Sequence, residues 1–162
     1  MTAWIGIDPG QTGGLACVEP DGSLRWAMPM PAVSGEVVGQ QLAAILKHAS
    51  EVSHTKVMIE QVHSMPGQGV SSTFKFGKNF GIAIGVVNAL HLSLHRVTPQ
   101  KWKQQFQLTG KDKDASRHLA TEFWPDMAEE WRFKKLNGVS DAALIAEFAR
   151  RTLIGENDRP PN

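Results

Sequence analysis

The sequence predicts an α/β domain built on a mixed five-stranded sheet flanked by helices. Two observations carry this expectation. Three short apolar stretches separated by turn signals open the chain, and strand and helix patterns then alternate before a last third that is helical throughout. At 162 residues the chain fits one domain, expected over residues 1–154, with a polar, proline-bearing and disordered tail over residues 155–162.

The elements follow in order. Ala3–Asp8 reads as a short buried strand that stops at Pro9-Gly10. Residues 13–19 and 23–28 read as the next two, divided by the hairpin signal Pro20-Asp21-Gly22. Three consecutive strands predict an antiparallel meander. Pro29, Pro31 and Gly35 mark a loop, after which Val37, Val38, Leu42, Ile45 and Leu46 recur at helical spacing, predicting a helix over residues 35–49. Thr55–Glu60 is a fourth strand ending on an acid. A loop rich in glycine and proline leads to a long helix over residues 71–90, and Ser93–Val97 is the fifth strand. Thr98-Pro99 is a helix start, with threonine as cap and proline at the first helical position. A further helix begins near Asp112 and stops at Trp124-Pro125, and the last begins near Val139-Ser140.

Composition narrows the class. The chain is 41% apolar and 20% charged, as soluble globular proteins are, and no apolar run reaches the roughly 20 residues that span a bilayer. It opens on Ala3-Trp4-Ile5 without a basic leader, and its one cysteine, Cys17, has no internal disulfide partner, so a cytoplasmic setting is expected. The net charge of +1 is uninformative, but Arg96, Lys101, Lys103, Lys111, Lys113 and Arg117 face only Asp112 and Asp114 in the same stretch. Such an excess suits a phosphate footprint, or a pair of solvated helix faces.

Three carboxylates stand out. Asp8 and Glu60 each end a predicted buried strand, at the sheet edge where α/β proteins form ligand sites. Asp141 falls in the expected first turn of the last helix, ahead of an apolar stripe. Singly each has another reading: Asp8 as a turn-former before Pro-Gly, Asp141 as a favourable helix-N-terminal charge. Together, with no basic partner expected beside them, they would repel unless a cation intervened, and all-oxygen ligands favour Mg²⁺, or Mn²⁺ in its place, over zinc.

Ile5-Gly-Ile-Asp-Pro-Gly-Gln-Thr-Gly-Gly14 resembles the opening motif of the RuvC family of Holliday-junction resolvases, which have the ribonuclease-H-like fold. Ile59-Glu-Gln-Val-His63 resembles that family's second acidic motif and Ser140-Asp-Ala-Ala-Leu-Ile-Ala146 its last. Met65-Pro-Gly-Gln-Gly-Val-Ser-Ser72 is more similar to the phage and prophage branch. The resemblance implies a homodimer that binds four-way or otherwise branched DNA and cuts it by two-metal hydrolysis in a bacterial cell, with no nucleotide cofactor. Carried over by motif, Asp8 bridges both ions while Glu60 and Asp141 each hold one. Lys103 and Lys113 match lysines that reach phosphates, with Lys101 and Lys111 on the same two helices. His63 falls where related enzymes carry an aromatic wedge; it also suits an ordinary loop.

The family pattern has a fourth acid shortly before the last motif, and here that position is Asn137. Asparagine offers a metal a neutral oxygen, so three acids suffice, or position 137 is a change that stalls catalysis and leaves a junction-binding protein; alternatively its side chain caps the last helix. Asp8-Pro-Gly-Gln-Thr12 also resembles the first phosphate loop of the actin and Hsp70 ATPase group. That reading requires a duplicated domain and a glycine-rich adenosine motif, and this sequence holds neither. Finally, Gly77, Gly81 and Gly85 form a bare stripe on the long helix, suited to close packing on the sheet or to a dimer seam.

Overall fold

The computed structural model describes residues 1–153; the expected domain end at 154 and the tail lie outside the described residues. The first three strands, β1 (Ala3–Asp8), β2 (Gly14–Val18) and β3 (Leu24–Pro29), form the expected antiparallel meander. A two-stranded hairpin follows, β4 (Ala32–Val33) with β5 (Glu36–Val37), where the sequence suggested loop and helix start. The buried Asn79 side chain secures it, accepting from the Val37 N–H at 3.0 Å and donating to the Gly35 carbonyl at 3.0 Å. Helix α1 (Gly39–Val52) therefore starts later than its apolar spacing implied.

Beyond α1 the chain alternates β6 (Thr55–Glu60), α2 (Val70–Ala89) and β7 (Ser93–Val97), then α3 (Pro99–Gln105), α4 (Lys113–Phe123) and α5 (Asn137–Thr152). Two 3₁₀ turns, Pro125–Trp131 and Lys134–Leu136, bridge α4 and α5. Thr98 caps α3 through the Lys101 N–H, and Asp112 caps α4 through those of Asp114 and Ala115, as asparagine, aspartate, serine and threonine side chains do at helix starts. The five-stranded sheet has the order β3-β2-β1-β6-β7, with β6 and β7 parallel to β1, so the mixed sheet is as expected.

Side chains alternate across the pleat and give the sheet two unlike faces. Ala3, Ile5 and Ile7 of β1 join Val57 and Ile59 of β6 in a core with Leu42, Leu46, Ala83 and Val87 of α1 and α2. Trp4 and Met58 point the other way, into a core made mainly by α5, which contributes Val139, Ala142, Ala143, Leu144, Ile145, Phe148 and Ala149. The same alternation places Asp8 and Glu60 on the α5 side. Ile7 pairs with Ile59 in parallel register, so the two acids end neighbouring strands at the same edge.

Helix α5 lies directly on sheet backbone. A methyl group at Gly6 would stand 2.0 Å from the Ala142 carbonyl oxygen and 2.6 Å from the Ala146 nitrogen; one at Gly138 would stand 2.4 Å from the Thr12 carbonyl oxygen. Main chain cannot swing aside as a flexible side chain can. Gly6→Ala should therefore lower stability by about 3 kcal/mol or more, at or above the upper end for overpacked cores, measured as a fall in the urea midpoint. An unchanged midpoint would mean that α5 does not seat on β1 in this way.

Candidate active site

The carboxyl end of β1, the first turns of α5, the helices α3 and α4 and the second 3₁₀ turn line a cavity of about 300 Å³. Asp8 and Asp141 lie in its wall with Asn137, Thr12 and Ser116, and Lys103, Lys111, Lys113, Lys134 and Lys135 stand around them. Glu60 is set apart from the cavity lining, its Oε2 accepting a 2.5 Å bond from the indole N–H of Trp102. That ring is fully buried on α3, so the tryptophan fixes the carboxylate by a contact spanning 42 residues of sequence.

The electrostatics show how closely the acids are coupled. Burial, then the charges of Glu60 and Asp141, push the Asp8 carboxyl up to about 8, against the opposing pull of the Gly10 N–H and Lys103. Asp141 is pushed up to about 6, chiefly by burial and further by Glu60, while Ser116, Lys103 and Lys113 act against the rise. Burial also raises Glu60, opposed by the Trp102 bond and by Lys103. The expectation that no base stands beside the acids is thus corrected: Lys103 acts on all three. It reaches them because α3 carries it next to Trp102, with Nζ 5.4 Å from the centre of the indole ring.

The start of α5 also differs from expectation. The helix begins at Asn137, so Asp141 is its fifth residue, and the reading of Asp141 as a first-turn charge falls away. Nor does Asn137 cap the helix with its side chain. Its main-chain carbonyl accepts from the Ser140 hydroxyl at 2.8 Å, while its side-chain oxygen is buried without a partner. Asp141 Oδ1 is likewise buried and unpartnered, one helical turn further on. Two orphaned oxygens on one side of a helix are costly unless something binds them.

A hard divalent cation suits this donor set, which is all oxygen, acidic and partly desolvated. Among the described residues, however, no three acidic, histidine or cysteine side chains stand close enough as they lie to grip a single ion.

Of the predicted DNA contacts, Lys103, Lys111 and Lys113 line the cavity. Lys101 and His63 are exposed and outside it, His63 in the loop between β6 and α2. Lys134 and Lys135 escaped the sequence reading, which weighed basic residues only between 96 and 117. The run Arg132-Phe-Lys-Lys135, with one residue between it and Asn137, was the available signal. Among the described residues no helix is long and apolar enough to cross a membrane.

A mixed sheet in this order, covered by helices, is a ribonuclease-H-like fold. The fold is that of RuvC: a Thermus thermophilus RuvC structure in complex with a Holliday junction substrate superposes with a TM-score of 0.67 at 18% identity, covering 93% of this chain and 96% of that one. A second Thermus thermophilus RuvC structure gives 0.59 at 22% identity, covering 92% and 95%. In sequence, the chain is 29% identical over 116 residues to the chloroplastic Holliday junction resolvase MOC1 of Chlamydomonas reinhardtii; the match takes in 70% of this chain and 13% of that much longer protein. No protein-family profile matches the sequence.

The raised acids fix a sign for pH dependence. A carboxyl with a raised folded pKa binds more protons in the folded than in the unfolded state, so stability falls as pH rises from its ordinary to its raised value. For Asp8 that window runs from 3.8 to about 8, and for Asp141 from 3.8 to about 6. Without divalent metal, these two groups should cost the parent stability from about pH 4 to about pH 8, more steeply below about pH 6 where both contribute. Asp8→Asn removes the largest contribution and should melt higher than the parent near the upper end, by about 2–4 °C for each kcal/mol relieved. Parallel melting curves for the two proteins across the range would show that Asp8 ionises as an ordinary surface acid.

Proposed function

We propose that this chain is a structure-selective endodeoxyribonuclease that resolves four-way DNA junctions and related branched DNA, acting as a homodimer with Mg²⁺, which Mn²⁺ can replace. The observation that carries the reading is the pair of buried acids Asp8 and Asp141 in a cavity ringed by lysines, both raised by burial and by the charge of the neighbouring Glu60. The RuvC fold and the sequence likeness to a chloroplastic resolvase supply the substrate class.

Asp8, Glu60, Asp141 and Asn137 would hold the metal. A pair of divalent ions there would supply an activated water and a stabilised leaving oxygen. The chain's own residues do the rest. The Trp102 indole holds the Glu60 carboxylate by its hydrogen bond, Ser116 and Lys103 favour the ionised form of Asp141, and Lys103, Lys111 and Lys113 offer cations to phosphates entering the cavity. His63 and Lys101 would meet DNA running beyond the cavity. Proximity of lysines to the acids reconciles two opposed needs, since acids without counter-charge would repel the substrate they are meant to cut.

For the dimer, the support is the outer face of α2. Added methyl groups at Gly77, Gly81 and Gly85 would meet nothing, so the stripe faces away from the sheet, and Val70 and Phe74 at the start of the same helix are 87% and 72% exposed. Packing against the sheet therefore does not explain the glycines, and a second copy would.

The test is nicking of a synthetic four-way junction, beside a Y-fork and a linear duplex, with Mg²⁺ or Mn²⁺. The parent should cut the junction, while Asp8→Asn, Glu60→Gln and Asp141→Asn abolish nicking and keep or strengthen junction binding, because each removes negative charge near phosphate. Near-parental cleavage by any of the three removes that residue from the metal set. Asn137→Asp supplies an acid where the buried side-chain oxygen lacks a partner. It should lower the Mg²⁺ concentration needed for cleavage about tenfold for each 1.4 kcal/mol gained. Superimposable Mg²⁺ titrations of the two forms would place position 137 outside the site.

A further inference from the structure

Between the two 3₁₀ turns an aromatic ring is held out into solvent by a segment that is otherwise firmly fastened. Phe133 is 55% exposed, while its neighbour Trp131 is buried, with its indole N–H donating to Thr121 Oγ1 at 3.0 Å. Arg117 donates to the main-chain carbonyls of Trp131 at 3.5 Å and Arg132 at 3.0 Å, and is itself held by Asp114 at 2.9 Å. Lys134 reaches the same aspartate at 3.5 Å. The exposure of Phe133 is thus built in by anchors on its own loop and on α4. Leaving a phenyl ring in water forgoes the stabilisation its burial would bring.

The surroundings of the ring are cationic. The Arg132 guanidinium lies 5.3 Å and the Lys135 ammonium 5.9 Å from its centre, and both distances fall within reach of the attraction between cations and ring faces. Lys134 and Lys135 also line the cavity that holds Asp8 and Asp141, so the ring stands at the rim of the candidate active site. A flat π face flanked by cations matches one ligand chemistry closely: an unstacked nucleobase with its adjoining phosphates. Bases within a linear duplex are already stacked on one another, whereas those at a branch point are available. We propose that Phe133 is a stacking platform for an unpaired base at the branch, with Arg132, Lys134 and Lys135 holding the flanking phosphates. The proposal deepens the nuclease reading and rests on it for the identity of the nucleic acid.

The experiment uses the full chain without added divalent metal, so that binding is read without cleavage. The probes are a four-way junction carrying 2-aminopurine at the branch, a single strand with the same base, and a linear duplex. The parent should quench the 2-aminopurine in the junction. Phe133→Ala should remove the quenching and weaken binding to junction and single strand by about tenfold, leaving the linear duplex unaffected. Phe133→Trp should restore both signals and Phe133→Leu neither, because leucine is apolar but has no π face. Equal quenching and affinity in the parent and Phe133→Ala overturn the proposal, as does rescue by leucine as complete as by tryptophan. If the parent also cuts the junction once Mg²⁺ or Mn²⁺ is added, the nuclease reading stands through that failure. Conversely, Phe133-dependent quenching in a protein that cuts no branched DNA with either metal would uphold the platform and overturn the nuclease. A parent that binds none of the three DNAs overturns both, and leaves an acidic protein surface as the partner for this cationic rim.

Discussion

Backbone-to-backbone contact between α5 and the first hairpin is the constraint on which the rest of the molecule depends. Helices ordinarily sit on sheets with a layer of side chains between them. Here glycine at 6, 14 and 138 removes that layer, and Gly13 and Gly138 approach closely enough to form an isolated parallel bridge. The helix can then bury nearly every residue from Gly138 to Ala149 against the sheet. It also ties the position of Asp141 to that of the first hairpin, because there is no intervening side chain to repack. An added methyl group here would displace the third acid along with the core.

That placement creates an electrostatic conflict that the neighbouring elements moderate without removing. Burial raises all three acids, and mutual repulsion raises Asp8 and Asp141 further. The counterweights come from α3 and α4: Trp102 to Glu60, Ser116 to Asp141, and Lys103 to all three. None of these is a close ion pair with an acid, and an ion pair would have satisfied the site internally and left nothing for a cation to gain. Partial compensation keeps the acids assembled and still in need of positive charge. The unpartnered oxygens of Asn137 and Asp141 express the same condition in hydrogen-bond terms.

How much of this the sequence discloses depends on whether a feature is local. The five strands of the main sheet are legible because alternation and turn chemistry are written within a few residues, and Asp8 and Glu60 are legible because each ends such a strand. The β4–β5 hairpin is not, since two-residue strands carry no period and its anchor, Asn79, lies more than 40 residues away. Likewise the Trp102–Glu60 bond joins α3 to β6, and nothing near either residue announces it. Helix α5 begins two residues before its expected start because its first turn is stabilised by seating against Thr12 and Gly13, with no capping side chain to mark it. Lys134 and Lys135 were readable in principle, as cations placed just before an acidic motif. Their importance comes from the 3₁₀ turn that swings them over the cavity, and short 3₁₀ segments have weak sequence signatures.

The two faces of the sheet also divide the molecule's tasks. One face, under α1 and α2, holds aliphatic side chains and leaves the outer surface of α2 bare, with glycines and exposed apolar residues. The other, under α5, holds the tryptophan-rich core and opens at its edge into the acid cavity. Strand alternation alone separates them, since adjacent residues of β1 serve opposite faces: Ile7 belongs to the aliphatic core and Asp8 to the cavity. On the proposed reading one surface associates with another copy and the site binds a polyanion, and these want opposite chemistry, apolar in one case and charged in the other. Placing them on opposite sides of a single sheet lets each be altered without passing through the other's core. The connection between them is the β1 backbone itself, against which Gly6 lets α5 sit directly because it has no side chain to intervene.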